Sequence, residues 1–231
     1  MNCPFAAQLP VVNHGRAMVA HYGLVLHVQQ GNGSLYGYFN NPASQVSSHF
    51  WCAKDGTLEQ YVDTDVQAWA EAAGNPFYLS VETEGSDTED LTIAQLGKVA
   101  ELLSWAAGEY GFGVTGPVAH GSKGLTPHCN PDGTPDPAWG NHTCPGTIRL
   151  AQMPTIVALA QPTPPPIKPE EIMQTFENSK GQTVIVGNQQ SNGHTIVVTS
   201  GADAKVNGGW SLADVTGSIE AAYPGTVVVV E

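Results

Sequence analysis

The stretch AQPTPPPIKPEE, Ala160 to Glu171, constrains this chain more than any other feature. Proline fixes φ and removes the backbone donor, so neither a helix interior nor a central strand runs through such a segment. It predicts an extended spacer. The chain then divides into a body at residues 1–160, a linker at 161–171 and a small module at 172–231. The body suits one full domain, whereas a module of roughly 60 residues lies near the lower limit for folding alone.

Hydrophobic residues make up 41% of the chain and charged residues 13%, enough for a buried core. Net charge is -13 with eight Lys and Arg in total, which sets the surface against phosphate backbones and excludes a nucleic-acid partner. No run approaches the ~18 apolar residues of a membrane span, so no membrane insertion is expected. The start, Met1-Asn2-Cys3-Pro4, lacks a basic region before an apolar stretch, and no secretory signal is read there. The four cysteines, Cys3, Cys52, Cys129 and Cys144, are expected to be thiols.

Patterning in the body predicts an α/β domain. Tyr22–Val28 (YGLVLHV) reads as a buried strand, and His49–Ala53 as another that turns at Lys54-Asp55-Gly56 into Thr57–Val62. Phe77–Thr83 is a third main strand and Pro117–His120 (PVAH) a short fourth. Thr92-x-x-Gln95 is a capping box, followed at helical spacing by Leu96, Val99, Ala100, Leu103, Ala107 and Tyr110 until Gly111 and Gly113. A second helix is predicted from Pro145, kinked or broken at Pro154. Residues 121–143 read as a long Gly/Pro/Asn loop. Past the linker, Gln182–Val186, Thr195–Thr199 and Thr226–Val230 are strand-like, which makes the module β-rich.

His27 alone would pass for a packed core histidine. With His120 at the end of another predicted strand and Cys144 in the run His142-Thr143-Cys144-Pro145-Gly146, it completes two imidazoles and one thiolate on separate elements. That donor set suits zinc, with a fourth position open to water.

Several stretches carry a family resemblance, in order, over about residues 10–160: LVLHVQQG, SSHFWCAKDGTLEQYV, AWAEAAGNPFYLSVETEG, TIAQLGKVAELLSWAAGEYG, PVAH and CPG. The chain resembles the zinc-dependent N-acetylmuramoyl-L-alanine amidases of the amidase-2 and peptidoglycan-recognition-protein superfamily, particularly the amidase domains of phage endolysins. The resemblance implies a central mixed β-sheet flanked by helices. It also implies His27, His120 and Cys144 as zinc ligands and Glu82 as the acid/base near the attacking water. Strand alternation puts Glu84 on the same face as Glu82, and the resemblance alone selects Glu82. His142 stands where the family places a side chain that stabilises the oxyanion, a task an imidazolium could perform.

Two departures stand out. Ser48 occupies the place of a family tyrosine. The segment between His120 and Cys144 is longer than usual and carries His128-Cys129. His128 is therefore an alternative second ligand, and His128, Cys129 and His142 are an alternative set for a further metal. Trp69 and Trp139 are candidates for stacking on substrate, with simple packing the competing reading. Trp105 is expected in the core.

The implied reaction is hydrolysis of the amide between N-acetylmuramic acid and L-Ala in bacterial peptidoglycan, by a monomer. The layout of body and module suggests an endolysin that stays in the host cytoplasm until a holin releases it to the wall, with the module as a wall-targeting candidate. Alternatives are a non-catalytic peptidoglycan-binding module and a virion-associated wall-degrading protein.

Overall fold

The computed structural model describes residues 1–161 and, beyond them, strands β7 (Gln174–Glu177), β8 (Thr183–Val186), β9 (Thr195–Val198) and β10 (Val227–Val230). The chain divides into two compact units, Met1–Pro162 and Thr163–Glu231. In the second, the four strands form a sheet in the order β10-β9-β8-β7, with β9–β10 parallel and the other pairs antiparallel. The Pro-rich spacer beyond residue 161 lies outside the described residues.

The first unit is built on a six-stranded mixed sheet, ordered β1-β4-β3-β5-β2-β6. Its strands are β1 (Ala7–Gln8), β2 (Gly23–Val28), β3 (Phe50–Cys52), β4 (Leu58–Gln60), β5 (Tyr78–Thr83) and β6 (Gly124–Pro127). β2 lies between β5 and β6, parallel to both. All six of its residues are buried, as its unbroken apolar run demands of a central parallel strand. β3 and β4 form the expected antiparallel hairpin around the Asp55-Gly56 turn.

Alternation along the strands sorts residues onto two faces. Leu24 and Leu26 of β2, Leu79 and Val81 of β5, Phe50 and Cys52 of β3, and Leu125 of β6 point into one apolar core. Helix α2 (Ile93–Tyr110) covers that core with Val99, Leu102, Leu103 and Ala106, and helix α3 (Thr147–Ala160) with Met153, Ile156 and Ala160. α2 starts where the capping box predicts. The Thr92 side chain accepts from Gln95 N, and Gln95 Oε1 accepts from Thr92 N. Such a cap is worth ~1 kcal/mol. Gly111, with φ of 69°, closes the helix in the left-handed conformation.

Two local expectations are corrected. The fourth strand is not Pro117–His120 but β6. Val118 donates instead to Leu125 O, which leaves 117–120 as an outer loop beside β6. The reason lies in close approach: a Cβ on Gly23 would sit 1.8 Å from Gly124 O, so glycine at 23 lets β6 lie against β2, while a Cβ on Gly124, at φ of 138°, would sit 2.5 Å from Thr115 O. The second helix begins at Thr147, two residues after Pro145, and continues through Pro154 to Ala160. Burial of Met153, Ile156 and Ala160 at 0–2% exposure outweighs the ~3 kcal/mol cost of an interior proline.

Candidate metal centre

The opposite face of the sheet carries polar groups. Register pairs His27 of β2 with Glu82 of β5, and Trp51 of β3 with Glu82 on its other side. His27 and Glu82 therefore project side by side from neighbouring strands. His128 follows β6, the strand on the far flank of β2. Cys144 enters from the turn before α3, and its Sγ accepts from the backbone N of Val28 at 3.2 Å.

One donor atom from each of His27, His128 and Cys144 lies within 4.8 Å of the others. His27 Nδ1 is 3.8 Å from Cys144 Sγ. His128 Nε2 donates to the carbonyl of Trp139 at 2.6 Å, which leaves Nδ1 as its free lone pair. Burial keeps all three groups uncharged. Desolvation, with the nearby His142 adding to it, lowers His27 to about 3. Desolvation and the neighbouring His27 and His142 lower His128 to about 2. Burial and the Glu82 charge push the Cys144 thiol well above its usual range.

Neutral imidazoles with free lone pairs are ready ligands, and a buried thiol gives up its proton when a dication takes its place. Two nitrogens and one sulfur leave one tetrahedral position open, the arrangement of a catalytic rather than a structural zinc site. The donors present thus fit such an ion.

Glu82 lies beside this cluster, its Oε1 3.9 Å from His27 Nδ1 and its Oε2 without a partner. Desolvation and the charge of Glu71 raise its carboxyl to about 8, against an opposing pull from Arg149. Glu84 does something else: its carboxylate accepts from Gly33 N at 2.8 Å and Lys54 N at 2.7 Å, tying two loops together. The structure thus separates the two glutamates that alternation could not. His142 is exposed, its ring 5.0 Å from that of His128 at the mouth of the cleft.

His120 is not in the cluster, which corrects the expected second ligand. Both its ring nitrogens are engaged, Nδ1 with Asp136 Oδ2 at 2.7 Å and Nε2 with Pro127 O at 3.2 Å. Its ring stacks on Trp139 at 3.5 Å. No lone pair of His120 faces His27 or Cys144. The alternative ligand, His128, occupies the place instead. Cys129 is buried and is not among the converging donors.

Trp139 is 5% exposed, packed between His120 and Tyr78, so it is a structural wall rather than a stacking surface. Trp69 is 36% exposed and lines the cleft with Tyr38, Gln29 and Asp87. The cleft encloses about 350 Å³. One wall is the short helix α1 (Tyr36–Phe39). Ser48, at 0% exposure, has an Oγ without a partner.

Sequence reasoning missed two residues. Arg149 is fully buried and donates to the carbonyls of Thr83, Glu84 and Glu89. Its guanidinium also reaches Thr83 Oγ1, which in turn donates to His27 O at 2.5 Å. Glu71 is fully buried with both carboxylate oxygens unpartnered, and Oε1 lies 3.7 Å from His27 Nε2. Desolvation raises it to about 8, with the Ser80 hydroxyl opposing. The available signal was chemical: one acid inside the small-residue run AWAEAAG, and an arginine inside an otherwise apolar helix.

Known proteins are similar to this unit. Residues 15–147 match the family described as N-acetylmuramoyl-L-alanine amidase. The 1,6-anhydro-N-acetylmuramyl-L-alanine amidase AmpD of Salmonella typhimurium is 31% identical over 103 residues, 40% of this chain and 51% of the relative. The chain thus spans about half the length of that curated relative. Among solved structures, the Staphylococcus aureus hydrolase AmiA superposes with a TM-score of 0.55 at 16% identity, covering 69% of this chain and 84% of AmiA. A mutant endolysin from Bacillus subtilis superposes with a TM-score of 0.50 at 18% identity, covering 67% of this chain and 97% of the endolysin. With its mixed sheet, flanking helices and a family match across more than half its length, the chain belongs to the N-acetylmuramoyl-L-alanine amidase family.

Proposed function

We propose that this protein hydrolyses the amide between N-acetylmuramic acid and L-alanine in peptidoglycan, with zinc held by His27, His128 and Cys144. The observation that carries this reading is the convergence of those donors within 4.8 Å beside Glu82, in a chain of this family. When bound there, zinc would polarise the scissile carbonyl and lower the pKa of water.

The protein's own residues supply the rest. Glu82, half-buried with its Oε2 covered and its carboxyl raised to about 8, stands near the working pH at which a carboxylate both accepts and returns a proton. It takes the proton of the attacking water and passes it to the leaving amine. His142, at the cleft mouth, donates to the oxyanion. Arg149 holds the strand carbonyls behind His27 and Glu82 and keeps positive charge near both Glu82 and Cys144. The α1 wall and Trp69 offer tyrosine and indole faces to sugar or peptide.

We further propose an endolysin role, in which the protein acts on the wall from outside the host membrane after release. The similarity in fold to an endolysin and the division into two units support it. No helix among the described residues is long and apolar enough to cross a membrane. The second unit would then target the wall.

Digestion of purified peptidoglycan, with zinc content measured on the same sample, tests the central reading. New L-Ala amino termini and about one zinc per chain are expected from wild type, with both lost in Cys144→Ser. Folded wild-type protein that releases no new termini would sink it.

A further inference from the structure

The two imidazoles of the centre are backed differently. His128 Nε2 is anchored by the Trp139 carbonyl at 2.6 Å. His27 Nε2 has no hydrogen-bond partner and lies 3.7 Å from Glu71 Oε1; both Glu71 oxygens also lack one within hydrogen-bond reach, with the Ser80 hydroxyl the nearby group that favours the carboxylate. His27 is 3% and Glu71 0% exposed, so neither finds water as a substitute. Three unpartnered polar atoms at one buried contact are costly unless they serve each other.

The backbone holds Glu71 to this spot. Ala70 N and Glu71 N both donate to Asn75 Oδ1, at 3.0 and 2.7 Å. Ala72, the next residue, sits at φ of 48°, a left-handed conformation that alanine rarely adopts. A Cβ on Gly74 would lie 2.8 Å from the Trp139 ring and 2.9 Å from the Glu71 Cβ. The turn at 71–75 is therefore wedged against Trp139, the residue whose carbonyl anchors His128. One packed block stands behind both imidazoles.

We propose that Glu71 is a positioning residue for the metal centre: its carboxylate accepts the N–H of His27 Nε2, which fixes the ring so that Nδ1 faces Cys144. This rests on the zinc reading above, and it assigns a task to a buried residue that does not line the cleft. Carboxylates behind metal-bound imidazoles set both tautomer and ring orientation. At 3.7 Å, a small rotation of either side chain brings the two groups into a hydrogen bond.

The test compares wild type with Glu71→Gln and Glu71→Leu in the full chain. Zinc affinity is read by competition with a chromogenic chelator, and the metal-free thermal midpoint is measured alongside. Glu71→Leu should lose about 10- to 100-fold in zinc affinity while its metal-free midpoint holds or rises. Glu71→Gln keeps an acceptor oxygen and should fall between the two. A purely structural role predicts the reverse, a lowered midpoint with unchanged affinity, and that result overturns the proposal. If Glu71→Leu does not fold, Glu71→Gln decides: affinity equal to wild type overturns, a several-fold loss supports. Wild type that binds no zinc overturns the metal centre itself, whereas tight wild-type binding with unaltered variants overturns only the role of Glu71.

Discussion

The two faces of the central sheet are made by the same strands and obey opposite rules. On the helix face, Leu24, Leu26, Leu79, Val81 and Leu125 are at 0% exposure in one apolar cluster with residues of α2 and α3. On the other face, His27 and Ser80 and the Glu71 packed behind them are 0–3% exposed and the Glu82 side chain 16%, yet several of their polar atoms lack partners. Burial stabilises the first face and strains the second. The lesson is that one face supplies the stability that the other consumes, so substitutions on each should move different observables.

The largest expected effect is on turnover. His128→Ala should lower amidase activity about a thousandfold or more, the loss of several kcal/mol of charge stabilisation, with little change in metal-free stability. An assay of released amino termini checks it. Glu82→Gln should cost about 10²- to 10⁴-fold in kcat while zinc content stays at the wild-type level, since the amide cannot accept the proton. If Glu82→Gln stayed fully active, the base would lie elsewhere.

Leu26→Ala, one residue before His27 but on the helix face, should behave in the contrary way. Denaturant unfolding should show a loss of about 2–5 kcal/mol, with activity per folded molecule retained. An equal loss of activity and stability would break the comparison between the faces.

The site face should also declare itself through pH. In chelator-treated protein, Glu71 and Glu82 are raised from 4.5 to about 8. The folded state therefore binds more protons than the unfolded chain between those values, and stability falls as pH rises through that window. His27, His49 and His128 are lowered from 6.5 to about 3, 4 and 2, so they bind fewer protons when folded, and stability falls as pH drops below 6.5. The thermal midpoint should peak near pH 6.5. Glu71→Leu should flatten its alkaline side, which a pH series of melting curves would reveal.

The smallest effect belongs to His120→Ala. It should cost ~1 kcal/mol through the lost stack on Trp139 and the Asp136 bond, and leave zinc content unchanged. Loss of zinc from this variant would restore His120 as a ligand.

Much of the helix face was legible in the sequence because its signals are local and periodic. The apolar runs at β2 and β5 and the Thr92–Gln95 capping box need no knowledge of distant partners. β6 was misplaced because GLTP opens with glycine and closes with proline, both poor strand formers. Its place is set by how closely Gly124 approaches Gly23, a contact 101 positions away that no local pattern encodes. PVAH, with better strand propensity and a terminal histidine, drew the second ligand to His120. Of the site itself, His27, Glu82 and Cys144 stand on short motifs and could be singled out. Glu71 and Arg149 could not, since only the folded chain shows that their charges are buried.

The pairing of His27 with Glu82 across β2 and β5 has one more consequence. Successive side chains alternate between faces, so a slip of one residue in β2 would carry His27 into the leucine core and bring Leu26 to the cleft. A one-residue slip therefore cannot part His27 from Glu82 without also unpacking the core. Packing of the leucine face thus decides which strand face carries His27 and Glu82 to the cleft.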